Sequence, residues 1–423
     1  MAYEALITKV TAIKPIEGSD RIQTAVVNGY QVIVGLNVHE EDLGIFLESG
    51  GALSQEMASA NDMVRRRDAD GNPAGGLFEE NRRVKAIKLR GARSEGFFGP
   101  LSLLAFTGVN LGMLQEGQRF STLNGHSVCE KYYTPATLRA MKRGGKAPRE
   151  NVMFAKHVET DNIKKSGTEI PKGAILHISE KLHGTSHRQS HVLETQELSL
   201  TAVRRFFNRL LKKPTTETRW THLLGSRNVI LGELSATNEG FRYKALRGVS
   251  LAKGEVIYGE LVGWESPGKP IMGRQDLSSL KNKALEKRFG KSITYAYGQP
   301  EGEAKFYVYR ITLVNEDGYT AELSQVEVNK RAKTLGLDVV PSIETLLYDG
   351  DLDILLARLE LLTNGATETP CSSLDPTHLQ EGVVVRAESE NGTRFYKSKA
   401  VDFLLAELGE REKEDFVDAE EVA

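Results

Sequence analysis

Cysteine is nearly missing from this chain: Cys129 and Cys371 are the only two, far apart and without metal-ligand spacing. That excludes a disulfide framework and a zinc ribbon, and it fits a reducing compartment, so the cytoplasm is the expected location. Long apolar runs are missing too. None approaches the roughly 18 residues a membrane helix needs, and the opening "MAYEALITKV" lacks the charged-then-apolar pattern of an export signal, so no membrane partner is expected. Net charge is also small: 55 Lys+Arg against 57 Asp+Glu leaves a formal −2, which excludes a uniformly basic nucleic-acid coat. Any nucleic-acid contact must use local basic patches. At 423 residues the chain exceeds the roughly 250 at which single cores stop growing, so several domains are expected.

The first ~120 residues alternate short β-like runs with turn clusters, as in "EALITKVTAI", "YQVIVGLNV" and "RVKAIKLRG", a period-two pattern that predicts a small all-β barrel. Lys9, Val10, Ile13, Pro15, Asp20 and Ile22, followed by Lys85, Ala86, Lys88 to Gly91 and Ser94 to Gly96, resemble the strands of tRNA-binding OB domains. Such barrels bind strands through backbone electrostatics and aromatic stacking, so Lys85, Lys88, Arg90, Arg93 and Phe97 become candidate nucleic-acid contacts. The expected boundaries are an OB domain over 1–124, a linker over 125–150 containing "MKRGGKAPRE", a mixed α+β domain over 151–410 and an acidic tail over 411–423. Helices are predicted at 201–213, 277–289, 326–335, 343–362 and 401–414; the first carries Arg204, Arg205, Arg209, Lys212 and Lys213.

Within the second domain, "EKLHGTSHR" places Lys181 where a strand gives way to small and polar residues. Four other segments put charge at strand-like positions. Arg227 opens "RNVIL", Glu260 interrupts the apolar run "VIYGELVG", Glu381 precedes three valines, and Lys397 and Lys399 are two apart, hence on one face of a strand. In this order the segments resemble the motifs of the covalent nucleotidyltransferase superfamily, and Lys181-Leu182-His183-Gly184-Thr185 is similar to the nucleotidyl-lysine motif of the RNA ligase 2 family. Gly225 to Asn228 looks like the arginine motif, Tyr258 to Leu261 the third, Phe306 to Tyr309 the aromatic one, Glu381 to Val384 the fourth, and Lys397 to Lys399 the fifth.

The resemblance implies an ATP-grasp-like adenylation domain behind the OB barrel, and an ATP-dependent RNA ligase joining 3′-OH and 5′-phosphate ends through lysyl-AMP and an adenylated 5′ end. Lys181 would be the nucleophile. A lysine at its ordinary pKa of about 10.4 is neutral in roughly one molecule per thousand at pH 7.4, so Lys397 or Lys399 and a metal are expected to lower it and to neutralise the α-phosphate. The resemblance further implies that Arg227 contacts ribose or phosphates, that Glu260 and Glu381 hold Mg²⁺ or Mn²⁺, and that Glu180 helps read the adenine amino group. Tyr309 would stack on adenine, with Phe306 and Tyr307 as alternatives. Gly184 is expected to let the backbone approach the nucleotide.

His183 stands where DNA ligases and capping enzymes carry aspartate, and Arg310 where RNA ligase 2 relatives carry an acidic residue, so neither role transfers. Only 24 residues follow Lys399. An OB module ahead of the catalytic domain is similar to the Deinococcus-type RNA ligases, which implies sealing of nicks in RNA or RNA/DNA duplexes with RNA on the 3′-OH side by a monomer, a role in RNA repair. The alternatives are an RNA guanylyltransferase and a non-catalytic RNA-binding protein.

Overall fold

The computed structural model describes residues 3–67, 73–142, 149–198, 211, 216–234, 238–280, 282–366 and 368–411. Most of the predicted basic helix at 201–213, including all five of its basic residues, lies outside them. In the first domain, β1 (Ala5–Pro15), β2 (Ile22–Val27), β3 (Tyr30–Gly35), β4 (Leu43–Glu48), β5 (Gly51–Leu53), β6 (Ile87–Leu89), β7 (Ala92–Ser94) and β8 (Gly96–Pro100) build the expected barrel. Its main sheet runs β8-β4-β1-β2-β3. The barrel is nearly closed where Glu95 donates its amide to Gln31 O at 2.8 Å and Ile33 donates to Ser94 Oγ at 3.0 Å. In β3 the period-two pattern holds residue by residue: Tyr30, Val32 and Val34 are buried and the residues between them are not. Each such side chain taken from water contributes about 1.5–3 kcal/mol.

The barrel extends further along the chain than its sequence suggests. A strand β9 (Cys129–Lys131) pairs antiparallel with β5, so the segment expected as linker from residue 125 is tied to the barrel as far as Lys131. A helix, α1 (Pro135–Lys142), follows where the linker was expected to continue.

The second domain is two sheets. One runs β10 (Asp161–Asn162), β19 (Gly392–Lys399), β18 (Gly382–Ser389), β11 (Ile175–Glu180), β17 (Ser342–Leu347); the other runs β14 (Ile230–Glu233), β13 (Thr216–Gly225), β12 (Thr185–Glu197), β15 (Glu255–Ser266), β16 (Ala304–Val314), with a short edge strand beyond. Between β14 and β15 lies the short helix α2 (Phe241–Lys244), and α3 (Leu352–Asn364) packs on the first sheet. The expected helix at 343–362 is therefore a strand and a helix. Gly350, at φ +97°, breaks the chain and Asp351 caps α3 by accepting from Ile354 N. Buried Leu355, Leu359 and Thr363 then recur at helical spacing.

The domains are bonded to each other. Lys164 places its ammonium 2.6 Å from buried Glu95 and 4.8 Å from the Tyr30 ring centre, Asn28 donates to Lys164 O at 2.9 Å, and Arg119 donates to Lys165 O at 2.9 Å. Arg93 joins Glu360 of α3.

Candidate active site

The chain crosses from one sheet of the second domain to the other through residues 181–184, between β11 and β12. Both sides of that crossing are fixed by hydrogen bonds of its backbone amides. Glu180 N donates to Pro341 O at 2.8 Å, Lys181 N donates to Gly382 O at 2.9 Å, and His183 N donates to Tyr297 Oη at 2.7 Å. Lys181 therefore has little freedom at its Cα. A cavity of about 1130 Å³ opens around it, lined by Glu180 to Ser186, Arg227, Arg242, Glu260, Tyr309, Glu381, Val384, Lys397 and Lys399 from the second domain and by Tyr30, Glu48, Lys131 and Tyr133 from the barrel.

Glu381 is the centre of the charge arrangement. It is 2% exposed, with Lys181 Nζ 2.8 Å and Lys399 Nζ 3.2 Å from Oε1. Burial opposes its ionisation, but Lys181, Lys399 and His183 hold its carboxyl well below the usual carboxylate range. Oε2 makes no hydrogen bond; His183 Nδ1, at 3.5 Å, is too far for a good one. Lys399 also meets Glu407 at 2.7 Å. Lys397, opposite Val384 in the sheet, has its pKa lowered to about 8 by burial first, then by Lys399, Lys181 and Arg227.

Two glycines make these approaches possible. A Cβ on Gly382, at φ +148°, would lie 2.2 Å from Ser398 O, so β18 and β19 can meet at Glu381 and Lys399 only without it. At Gly184 the crowding comes from a neighbouring strand. A Cβ there would lie 2.3 Å from Leu261 O and 2.9 Å from Glu260 Cγ, so it is the strand carrying Glu260 that excludes a side chain.

All the residues expected around the nucleotide, Glu180, Lys181, Arg227, Glu260, Tyr309, Glu381, Lys397 and Lys399, are brought to the one cavity. Of the three aromatic candidates, Tyr309 alone lines it; Phe306 and Tyr307 are 3% and 4% exposed within the core. The four barrel cations do not reach it. Lys85 pairs with Glu79 at 2.8 Å, Arg90 bonds Gly18 O, and Lys88 is exposed on β6. Arg93 lies between Glu95 and Glu360 where the two domains meet. Phe97 packs edge-on against Phe78 at 5.1 Å. Arg310, also at the cavity wall, makes a bidentate pair with Glu322 and covers the Tyr258 ring at 4.5 Å.

Three participants escaped the sequence. His157 bonds Tyr309 Oη through Nε2 and has its pKa lowered to about 3 by burial and by Arg227, Arg310 and Arg188, so it is neutral. Arg242 of α2 donates to Thr185 Oγ1 at 2.7 Å and Ser186 O at 3.1 Å, beside Glu260. Ser373 binds Glu180. None sits in an apolar pattern whose interruption would have betrayed it.

Fold and site define a class: a nucleotidyltransferase-like α+β domain with an OB-fold domain ahead of it. A family profile for RNA ligase matches residues 175–400, and one for an OB-fold domain matches residues 4–101. The chain belongs to the RNA ligase family. Solved structures of the Naegleria gruberi RNA ligase are similar in fold over nearly the whole length. A variant with ATP and Mn has 16% identity and a TM-score of 0.57, covering 97% of this chain and 99% of that one. An apo variant has 17% identity and a TM-score of 0.58, covering 96% and 98%. A form with PPi has 17% identity and a TM-score of 0.56, covering 95% and 97%. No curated protein matches this chain at a significant level.

Proposed function

We propose that this RNA ligase is ATP-dependent, that Lys181 is its nucleophile, and that it seals 3′-OH to 5′-phosphate ends at nicks whose 3′-OH strand is RNA, as the Deinococcus-type arrangement of domains suggests. The observation that carries the reading is Lys181 Nζ held 2.8 Å from Glu381 in a cavity that also gathers Lys397, Lys399 and Arg227. In the first step the neutral Lys181 amine forms an N–P bond to the α-phosphorus of ATP and the bond to the β-phosphate oxygen breaks, releasing pyrophosphate. The proton expelled from the nitrogen as the N–P bond forms passes to water, while Glu381, 2.8 Å from Nζ, orients the amine. A 5′-phosphate oxygen then displaces Lys181 from AMP. Finally the 3′-oxygen attacks that 5′-phosphorus, and AMP leaves. Lys397, Lys399 and Arg227 face the same phosphates in all three transfers and stabilise the charge that develops there.

Mg²⁺ or Mn²⁺ fits the donors present. Glu381 Oε2 lacks a hydrogen bond despite burial, and Glu260 also lines the cavity. Among the described residues no cluster of three or more His, Cys, Asp or Glu side chains forms a cage, so the shell would be completed by phosphate oxygens and water, as Mg²⁺ prefers. When bound, the ion supplies charge neutralisation at the phosphates.

Incubation with α-labelled ATP and Mg²⁺ or Mn²⁺ is expected to label the protein, and Lys181→Ala to abolish the label. Absence of label from the wild-type protein, or equal label on Lys181→Ala, sinks the reading. Labelling by GTP in preference to ATP would favour a guanylyltransferase. Sealing rates on nicks with RNA or DNA placed separately on each side test the substrate.

A further inference from the structure

Glu180 breaks the rule of the strand that carries it. In β11 the inward positions are Leu176, Ile178 and Glu180, so a carboxylate occupies the core-facing slot that alternation assigns to an apolar residue. It is 3% exposed. Oε2 accepts two hydrogen bonds, from Ser373 N at 3.0 Å and from Ser373 Oγ at 2.5 Å, while Oε1 has none, although Glu180 lines the cavity. A buried oxygen without a partner costs about 1–3 kcal/mol, so a native protein keeps one for a reason.

Ser373 is itself held by a closed loop. Cys371 and Leu379 bridge the loop's base, Ser372 N donates to His378 O at 2.9 Å, Leu374 N donates to Ser372 Oγ at 3.2 Å, and Asp375 accepts from Gly298 N at 3.1 Å. Gly298 adjoins Tyr297, which binds His183 N. The loop and the nucleophile segment are thus referenced to one another.

We propose that Ser373 is a positioning residue: by taking Oε2 with two donors it turns Oε1 of Glu180 toward the base and makes the site select a purine bearing a 6-amino group. The proposal rests on the ATP reading above and adds the element that sets the base. Both bonds to Oε2 are donated by Ser373, so Oε1 is the oxygen left to meet the base. Adenine offers an N–H at position 6 and satisfies Oε1; guanine offers an oxygen there and leaves two acceptors opposed. A site built around such a bond discriminates strongly, because the wrong base leaves the buried group unpaired. Without Ser373 the carboxylate can swing, and that preference weakens.

The test is equilibrium binding, by calorimetry, of ATP, GTP and purine riboside triphosphate, which lacks only the 6-amino group, to the wild-type protein and to Ser373→Ala, Ser373→Thr and Glu180→Gln. For Ser373→Ala the ATP-over-GTP ratio and the ATP-over-deamino ratio should both fall, by roughly tenfold, through weaker ATP binding. Ser373→Thr keeps both donors and should restore them. Glu180→Gln, which can present an N–H to guanine, should lower the ATP-over-GTP ratio further. Equal weakening of all three nucleotides in Ser373→Ala marks a merely structural role and overturns the proposal, as does an unchanged ATP-over-deamino ratio. A wild-type protein that binds ATP selectively but forms no lysine adduct sinks the ligase reading and leaves this one standing. A wild-type protein that is labelled but treats ATP and the deamino nucleotide alike does the reverse.

Discussion

The cations of the second domain and those of the barrel differ in how they are matched by anions. Around Lys181, cations crowd one buried carboxylate: Lys181 and Lys399 both lie on Glu381 Oε1, and Lys397 is pressed toward its neutral form by burial and then by its cationic neighbours. On the barrel Lys85 is answered by Glu79 and Arg90 by a carbonyl, while Arg93 and Lys164 share Glu95 and Arg93 has Glu360 as a second anion. Cations gathered around one shared carboxylate are a ready place for a further anion, which a triphosphate supplies. Cations matched by as many anions call for nothing more.

The contrast breaks most readily at Glu381. Glu381→Gln keeps the shape but removes the charge that Lys181 and Lys399 share, and the rate of label transfer is expected to fall by at least roughly a hundredfold in single-turnover measurements. Next in size is the effect of pH. Lys397, lowered to about 8 in the folded protein, loses its charge as pH rises through that value, while a lysine in the unfolded chain remains protonated to about 10.4. The folded state therefore carries a penalty for charging Lys397 that is fully present below about pH 8 and is relieved as pH climbs toward 10. Adenylation runs the other way: kcat/KM for ATP should decline above about pH 8, by roughly tenfold per unit once the charge is lost, and Lys397→Arg should move that limb to higher pH. A pH profile identical in the two proteins would remove Lys397 from the phosphate site.

The cavity was legible in the sequence because its parts are charges in strands. Glu260 interrupts an apolar run and Lys397 and Lys399 share a strand face, which strand periodicity turns into statements about direction; Glu180 and Glu381 were found through the resemblance of the ordered motifs. The barrel was legible from alternation alone, as β3 shows. What stayed hidden depends on residues far apart in the chain. Nothing local to Arg93 reveals that Glu360, 267 residues on, will take its guanidinium, and Gly184 gives no sign that its neighbour is Leu261 O. The helix at 343–362 was misjudged because a strand edge and an amphipathic helix both present leucines there; Gly350 and Asp351 were the local signal that divides them.

A smaller effect is expected at His157. Its bond to Tyr309 Oη fixes the one aromatic of the motif that lines the cavity, and its neutrality across the working range makes that bond independent of pH. His157→Ala should raise the KM for ATP by roughly three- to tenfold with little change in kcat, measured at two pH values that give the same ratio. A loss confined to kcat would instead place Tyr309 at the transferring phosphate.

The smallest expected effect sharpens the comparison most. If Arg93 joins the domains, Arg93→Ala should lower stability by about 1 kcal/mol, since Glu360 is partly exposed and buried Glu95 keeps Lys164, and a double-mutant cycle with Glu360→Ala should show coupling. The salt dependence of RNA binding should then be unchanged, because a guanidinium already neutralised by carboxylates releases no counterions from RNA. Lys88 is the control: exposed on β6, it lies outside the contacts that bind the barrel to the catalytic domain. Lys88→Ala should leave the thermal midpoint in place, and if β6 touches a phosphate it should reduce the slope of log affinity against log salt by about 0.7–0.9. A reduced slope in Arg93→Ala with no coupling to Glu360 would return Arg93 to the nucleic-acid face, and the distinction between crowded and matched cations would no longer separate the two domains.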